Sequence, residues 1–176
     1  MENNQVFVDS SFSAIINAPI EKIDIPAWCF GLPENEYQSC SPAHIAAGFT
    51  TAPDGTKMSI NVEIIGGSLM VQHYVEQLSE PAHLILLSVS DVFTPNGRTT
   101  IQVHWELSVK KIDEKTCEFT NRVISRPTPD FISFIDKQGI PFEQFKAQRQ
   151  PASIYHNQTE TPLFAKSIEH HALRTN

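Results

Sequence analysis

Seven histidines, with serines and asparagines set among apolar neighbours, are the residues of this 176-residue chain that could do chemistry. Imidazole titrates near neutral pH, so a histidine facing an apolar chamber can take a proton from a substrate or return one. His73 is the strongest candidate, because the stretch that carries it alternates in the manner of a strand. His83 and His104 fall on other strand-like stretches. Glu169-His170-His171 belongs to a terminal helix pattern, in which adjacent side chains diverge. HExxH and CxxC spacings do not occur, and Cys29, Cys40 and Cys117 fit no zinc motif. No metal and no cofactor are therefore expected. A Ser-His-Asp hydrolase is poorly supported, since no Gly-x-Ser-x-Gly elbow is present to expose a nucleophile.

The elements that must position these groups can be read from turn chemistry and alternation. Residues 6–17 alternate as a first strand, and Ala18-Pro19 opens a short helix that Pro26 should end or kink. Residues 34–44 look irregular, and a second strand is expected over 45–51. Strand patterns then fill residues 57–125. Gly66-Gly67 reads as a two-residue hairpin turn, Ser79-Glu80-Pro81-Ala82 as a four-residue turn, and Asn96-Gly97 as a type I′ turn. Thr128 as N-cap, Pro129 at the first helical position and Asp130 in the first turn open a helix. Its apolar face carries Phe131, Phe134, Ile135, Phe142 and Phe145, with an interruption at Gly139-Ile140-Pro141. A last helix is expected from Thr161-Pro162 to about residue 173.

A hairpin turn fixes the facing pairs, and a one-residue slip turns every side chain over. With the turns above, Ile60 opposes His73, His73 opposes Ser88, and Ser88 opposes Trp105. Ile101, Val103, Trp105 and Leu107 then share a concave face with Cys117, Phe119, Asn121 and Val123. The expected ligand-binding set is Val71, His73, Ser88, Ser90, Trp105, Phe119, Asn121 and Phe134. An apolar surface bearing a few convergent polar groups is the usual form of a small-molecule pocket. Ile85, Leu87, Val89 and Phe93 would point outward as an apolar strip. Such a strip suits either a covering segment or a homodimer contact.

The composition narrows the function classes. Hydrophobic content of 40% and charged content of 19% fit one globular domain over 1–176. A net charge of −7, with no basic run, argues against nucleic acid. Met1-Glu-Asn-Asn-Gln lacks the basic and apolar regions of a secretory leader, and no apolar stretch approaches a membrane span of ~20 residues. A cytoplasmic location with free thiols is expected.

The octapeptide Ile16-Asn17-Ala18-Pro19-Ile20-Glu21-Lys22-Ile23 is similar to the strand-to-helix entry I-x-A-P-x-E-K-V of the START-related, Bet v 1-like (SRPBCC) superfamily. That superfamily includes plant pathogenesis-related proteins, START domains and polyketide cyclase/dehydrase-type proteins. The element order resembles it along the whole chain. The resemblance implies an α+β helix-grip fold, a curved antiparallel sheet wrapped on a long C-terminal helix. It further implies a cavity between sheet and helix for a hydrophobic or aromatic small molecule, lipid- or polyketide-like. A cyclase/dehydratase-type enzyme using His73 as acid/base is the alternative, and a protein-interaction or co-chaperone-like module the second. Pro26 and Pro33 depart from the usual two-helix excursion. A helical tail over about 151–176 would be an addition to the fold.

Overall fold

The computed structural model describes residues 5–174. Residues 1–4, which carry most of the stretch read above for a leader, and residues 175–176 lie outside the described residues. Seven antiparallel strands form one sheet in the order β1-β7-β6-β5-β4-β3-β2. They are β1 (Val8–Ile16), β2 (His44–Thr51), β3 (Lys57–Ile65), β4 (Ser68–Glu80), β5 (His83–Thr94), β6 (Gly97–Lys111) and β7 (Cys117–Pro127). The helices are α1 (Ile25–Cys29), α2 (Glu34–Ser39), α3 (Pro129–Lys137) and α4 (Phe142–Arg174). The fold is α+β helix-grip: the curved sheet holds α4 in its concave face.

Most of the local chemistry read from the sequence is present. Gly66 and Gly67 have φ of 56° and 77°, and Ile65 pairs with Ser68, as a two-residue primed turn requires. Thr128 accepts a hydrogen bond from the Phe131 amide and caps α3. Pro26 does not end a helix: it occupies the first turn of α1, whose cap is Asp24 accepting from the Ala27 amide at 2.9 Å. Residues 34–39 are helical, following Pro33.

The gripping helix is where the sequence reading and the fold differ most. Residues 151–174 form the greater part of α4 and are no appended tail, while residues 129–137 make the separate helix α3. Pro151 and Pro162 lie inside α4, both on its exposed side. Each removes one backbone donor and would ordinarily break a helix. The buried face nevertheless recurs at helical spacing through Asn157, Glu160, Thr161, Phe164, Ala165, Ile168 and Ala172. Burial of that face against β1 and β7 outweighs two lost hydrogen bonds. Trp28 Nε1 donates to Ser167 Oγ at 2.7 Å, and Ser167 donates to Glu36 at 2.6 Å, which ties α1 and α2 to α4.

Two β-bulges decide which side chains face α4. Between β4 and β5 the register passes from Leu78↔Ile85 to Glu76↔Leu86, leaving Gln77 without a partner. Below it, Met70, Gln72 and Tyr74 turn inward. Between β2 and β3 the register passes from Ala46↔Val62 to His44↔Glu63, so Ile45 is the extra residue. His44 thereby joins Glu63 on the concave face, whereas regular pairing would have sent it outward.

Candidate functional site

A cavity lies between the sheet and α4. The centre of a water-sized sphere can occupy about 80 Å³ of it, and an adjoining chamber adds about 70 Å³. Apolar walls come from Val103, Trp105, Val123 and Phe164, with Val8, Ile65, Met70 and Ile101 shared by the two chambers. The outer chamber opens beside Gly66, Phe145, Lys146 and Arg149. Arg149 donates to the Gly66 carbonyl and lies over the Phe145 ring. The inner chamber is lined by Glu63, His156 and Glu160, with Asn61 and Gln72 beside them.

These inner polar groups form one buried cluster. His44 Nδ1 donates to the Tyr37 carbonyl at 2.7 Å, and its Nε2 lies 3.1 Å from Glu160 Oε2. His156 Nε2 lies 3.2 Å from the same oxygen and 3.6 Å from Glu63 Oε2. Its Nδ1 lies 3.3 Å from Ser41 Oγ. The Tyr37 hydroxyl donates to Glu63 Oε1. Asn121 donates to Glu160 Oε1 at 3.1 Å while accepting from Trp105 Nε1 at 2.8 Å. The His44 ring stacks on Tyr37, with centroids 3.9 Å apart and planes 2° from parallel, and faces Phe164 on a tilted stack at 5.8 Å. Both rings restrict its orientation.

Burial drives the charges in the cluster apart. It raises the Glu63 carboxyl above the usual carboxylate range, against the pull of the neighbouring imidazoles. Burial alone would also raise Glu160. The His156 charge and the hydrogen bonds from both imidazoles outweigh it and hold Glu160 at about 2. Burial would lower His156, but attraction to Glu160 prevails and raises it to about 9. The Tyr37 phenol is pushed well up by burial and by the adjacent carboxylates, so it stays a hydrogen-bond donor.

The predicted site residues divide into three groups. Trp105 lines the cavity, and Asn121, fully buried, braces both Trp105 and Glu160. Ser88 and Ser90 are buried on the concave side, 3.0 Å apart through their hydroxyls, and Phe119 is core; none of the three lines the cavity. Val71, His73 and Phe134 do not meet the cavity. Val71 and His73 lie on the convex face, because the bulge at Gln77 pairs even-numbered residues of β4 with even-numbered residues of β5. Ile60 does pair with His73, but both side chains point away from α4. Phe134 sits on α3 and packs with Phe131 and Ile135 in a satellite cluster. The turn expected at Asn96-Gly97 falls one residue earlier, at Pro95-Asn96 between the paired Thr94 and Gly97, so the pairing shifts by two and Ser88 meets Val103 in place of Trp105; an even shift keeps the faces as expected.

His44, Glu63, His156 and Glu160 were not singled out by the sequence. One signal was present: His156 and Glu160 are four apart, so they share a face once α4 is extended back through Pro162 and Pro151.

No family model and no curated protein matches this sequence. Solved structures do match its fold. A START superfamily protein from Mycobacterium smegmatis superposes with TM-score 0.54 at 13% identity, over 96% of this chain and 99% of that one. The Zhui aromatase/cyclase from a Streptomyces species superposes with TM-score 0.61 at 10% identity, over 95% and 94%. A di-domain aromatase/cyclase, BexL, gives 0.53 at 12% identity, over 98% of this chain and 52% of that one. With the sheet order and the gripping helix described above, these likenesses establish that the chain has the START-related, Bet v 1-like helix-grip fold.

Proposed function

We propose that this protein binds a small molecule with an apolar, ring-sized body and a polar end, held between the sheet and α4 with its polar end inward. One observation carries the reading: an apolar cavity is lined by a residue whose buried acceptor has no partner among the described residues. Gln72 lines the inner chamber, and its buried Oε1 makes no hydrogen bond among the described residues. A buried polar atom left unpaired costs roughly 1–3 kcal/mol, which a hydroxyl or amine of a ligand would offset. The size is set by the chambers. An apolar cavity of about 150 Å³ accepts benzene, so the two chambers together suit one or two rings and not an extended lipid chain. Three buried free cysteines fit the reducing, cytoplasmic setting expected for such a binder.

Native mass spectrometry of freshly purified protein, compared with its denatured mass, tests this. A retained or added phenol-like compound is expected, weakened by Gln72→Leu and lost in Ile101→Glu while the fold persists by circular dichroism. Failure of a panel of one- and two-ring phenols to bind, or binding indifferent to both changes, would overturn it. A cyclase or dehydratase-type reading has one observation in its favour, namely that His156 and Glu63 line the same chamber and can reach a bound molecule. On that reading the acid/base group is His156 and not His73, and His156→Gln should lower turnover by roughly 10²–10⁴-fold.

A further inference from the structure

The geometry of the buried cluster points to a metal ion: we propose that His44, His156 and Glu63, with Glu160 beside them, bind a divalent transition-metal ion of the zinc class at the inner end of the cavity. His44, Glu63 and His156 each offer a ligand atom, and these atoms lie within 4.8 Å of one another. Glu160 Oε2 is 3.1 Å from one imidazole Nε2 and 3.2 Å from the other. Zinc–nitrogen and zinc–oxygen bonds of about 2.0–2.1 Å give a tetrahedral edge of about 3.3 Å. The separations already approach it. Two imidazoles and two carboxylates are a donor set suited to zinc and neighbouring first-row ions, and unlike the all-oxygen sets of calcium or magnesium.

The outer atoms of the same residues carry the argument further. A ligating histidine ordinarily donates its other ring N–H to a carbonyl, carboxylate or water, which fixes its orientation. His44 does this to the Tyr37 carbonyl, and Ser41 Oγ is placed to accept from His156 Nδ1. The carboxylates are held in the same way. Tyr37 takes the outer oxygen of Glu63, and Asn121 takes that of Glu160. Each of the four groups is thus anchored through one atom; Glu63 Oε1, held by Tyr37, lies 3.9 Å from His44 Nε2, and Glu63 Oε2 lies 3.6 Å from His156 Nε2. The placement along the chain is equally specific. His44 faces inward only because of the bulge at Ile45, and it comes from β2, Glu63 from β3 and His156 from α4. Glu63 and His156 line the cavity, so an ion there is open to a molecule bound in it. An ion so placed could polarise a carbonyl or lower the pKa of a bound water.

The inference uses the inner end of the proposed binding cavity but does not depend on an organic ligand being found. Protein stripped with chelator would be titrated with Co²⁺ and separately with Zn²⁺, following the visible Co²⁺ bands and the bound metal by elemental mass spectrometry. One saturable equivalent is expected, with the strong visible absorption of four- or five-coordinate cobalt, displaced by Zn²⁺. His44→Ala and His156→Ala should abolish it. Tyr37→Phe, which keeps every ligand, should weaken it by about 10–100-fold. His83→Ala, at the half-buried Glu106 pair outside the cluster, should leave it unchanged. Absence of saturable binding in the wild-type protein would overturn the proposal whatever the variants do. So would binding that survives the loss of both His44 and His156. A metal found without any retained organic molecule would sustain this inference and count against the ligand reading; the converse result would separate them the other way.

Discussion

Glu63 and Glu160 share one buried cluster and hold their protons differently, because only Glu160 accepts hydrogen bonds from both imidazoles. Stability of the chelator-treated protein should follow from this. Glu160, held at about 2 against an ordinary 4.5, adds stability that is present above pH 4.5 and lost as the pH falls toward 2. His156, raised from 6.5 to about 9, adds stability that is fully present below pH 6.5 and lost as the pH rises through 9. Glu63, raised above 4.5, is ionised at a cost as the pH climbs, so it works in the same direction as His156. Maximum stability should therefore fall between about pH 4.5 and 6.5. Urea unfolding across the pH range would show it, and in His156→Gln the decline above pH 6.5 should flatten. At fixed pH, Glu160→Gln should cost about 3–5 kcal/mol, since it strands a buried imidazolium.

At the scale of the element, single residues outside the ladder matter more than the hairpin turns. The concave and convex residues of β5 alternate without exception from Leu84 to Phe93, so neighbours in sequence have opposite fates. Leu86 is fully buried, while Val89 is 48% exposed. Leu86→Ala should lower unfolding free energy by about 2–5 kcal/mol, and Val89→Ala by no more than about 0.5 kcal/mol. Equal effects from the two would mean that β5 does not alternate between a buried and an open face. The turns and strand alternation were legible because both are local. Bulges at Ile45 and Gln77 were not, since neither residue has a chemistry that marks it as extra.

Over the whole molecule, α4 and the sheet close on one core that holds all three cysteines. Burial raises the Cys29 thiol to about 12 and the Cys40 thiol to about 11, and Cys117 is fully buried. None should react as a thiolate near neutral pH in the folded state. Labelling with an aromatic disulfide should thus report unfolding: three thiols react in denaturant, none promptly in native buffer, and the native rate follows the unfolding equilibrium. Prompt reaction of Cys29 or Cys40 would show that α1 and α2 open independently of the sheet. On the other side of the sheet, Ile85 and Leu87 are half-buried and Val89 and Phe93 exposed. No described helix is long and apolar enough to cross a membrane.

The sequence alone determined the antiparallel meander, the two-glycine turn, the capped start of α3 and the concave set from Ile101 to Leu107 with Cys117 to Val123. Each rests on a pattern only a few residues long, or on an alternation that a two-residue error in a turn leaves intact. It also determined that Trp105 and Asn121 belong to the interior. Tertiary structure decided the rest. It carried α4 through two prolines, because burial of one helical face outweighs the lost hydrogen bonds. It turned His44 inward and His73 outward through one extra residue in each strand. The cluster of His44, Glu63, His156 and Glu160 joins two strands and a helix up to 116 residues apart. No local spacing encodes that meeting; it follows from how a bulged sheet curves around the helix that fills it.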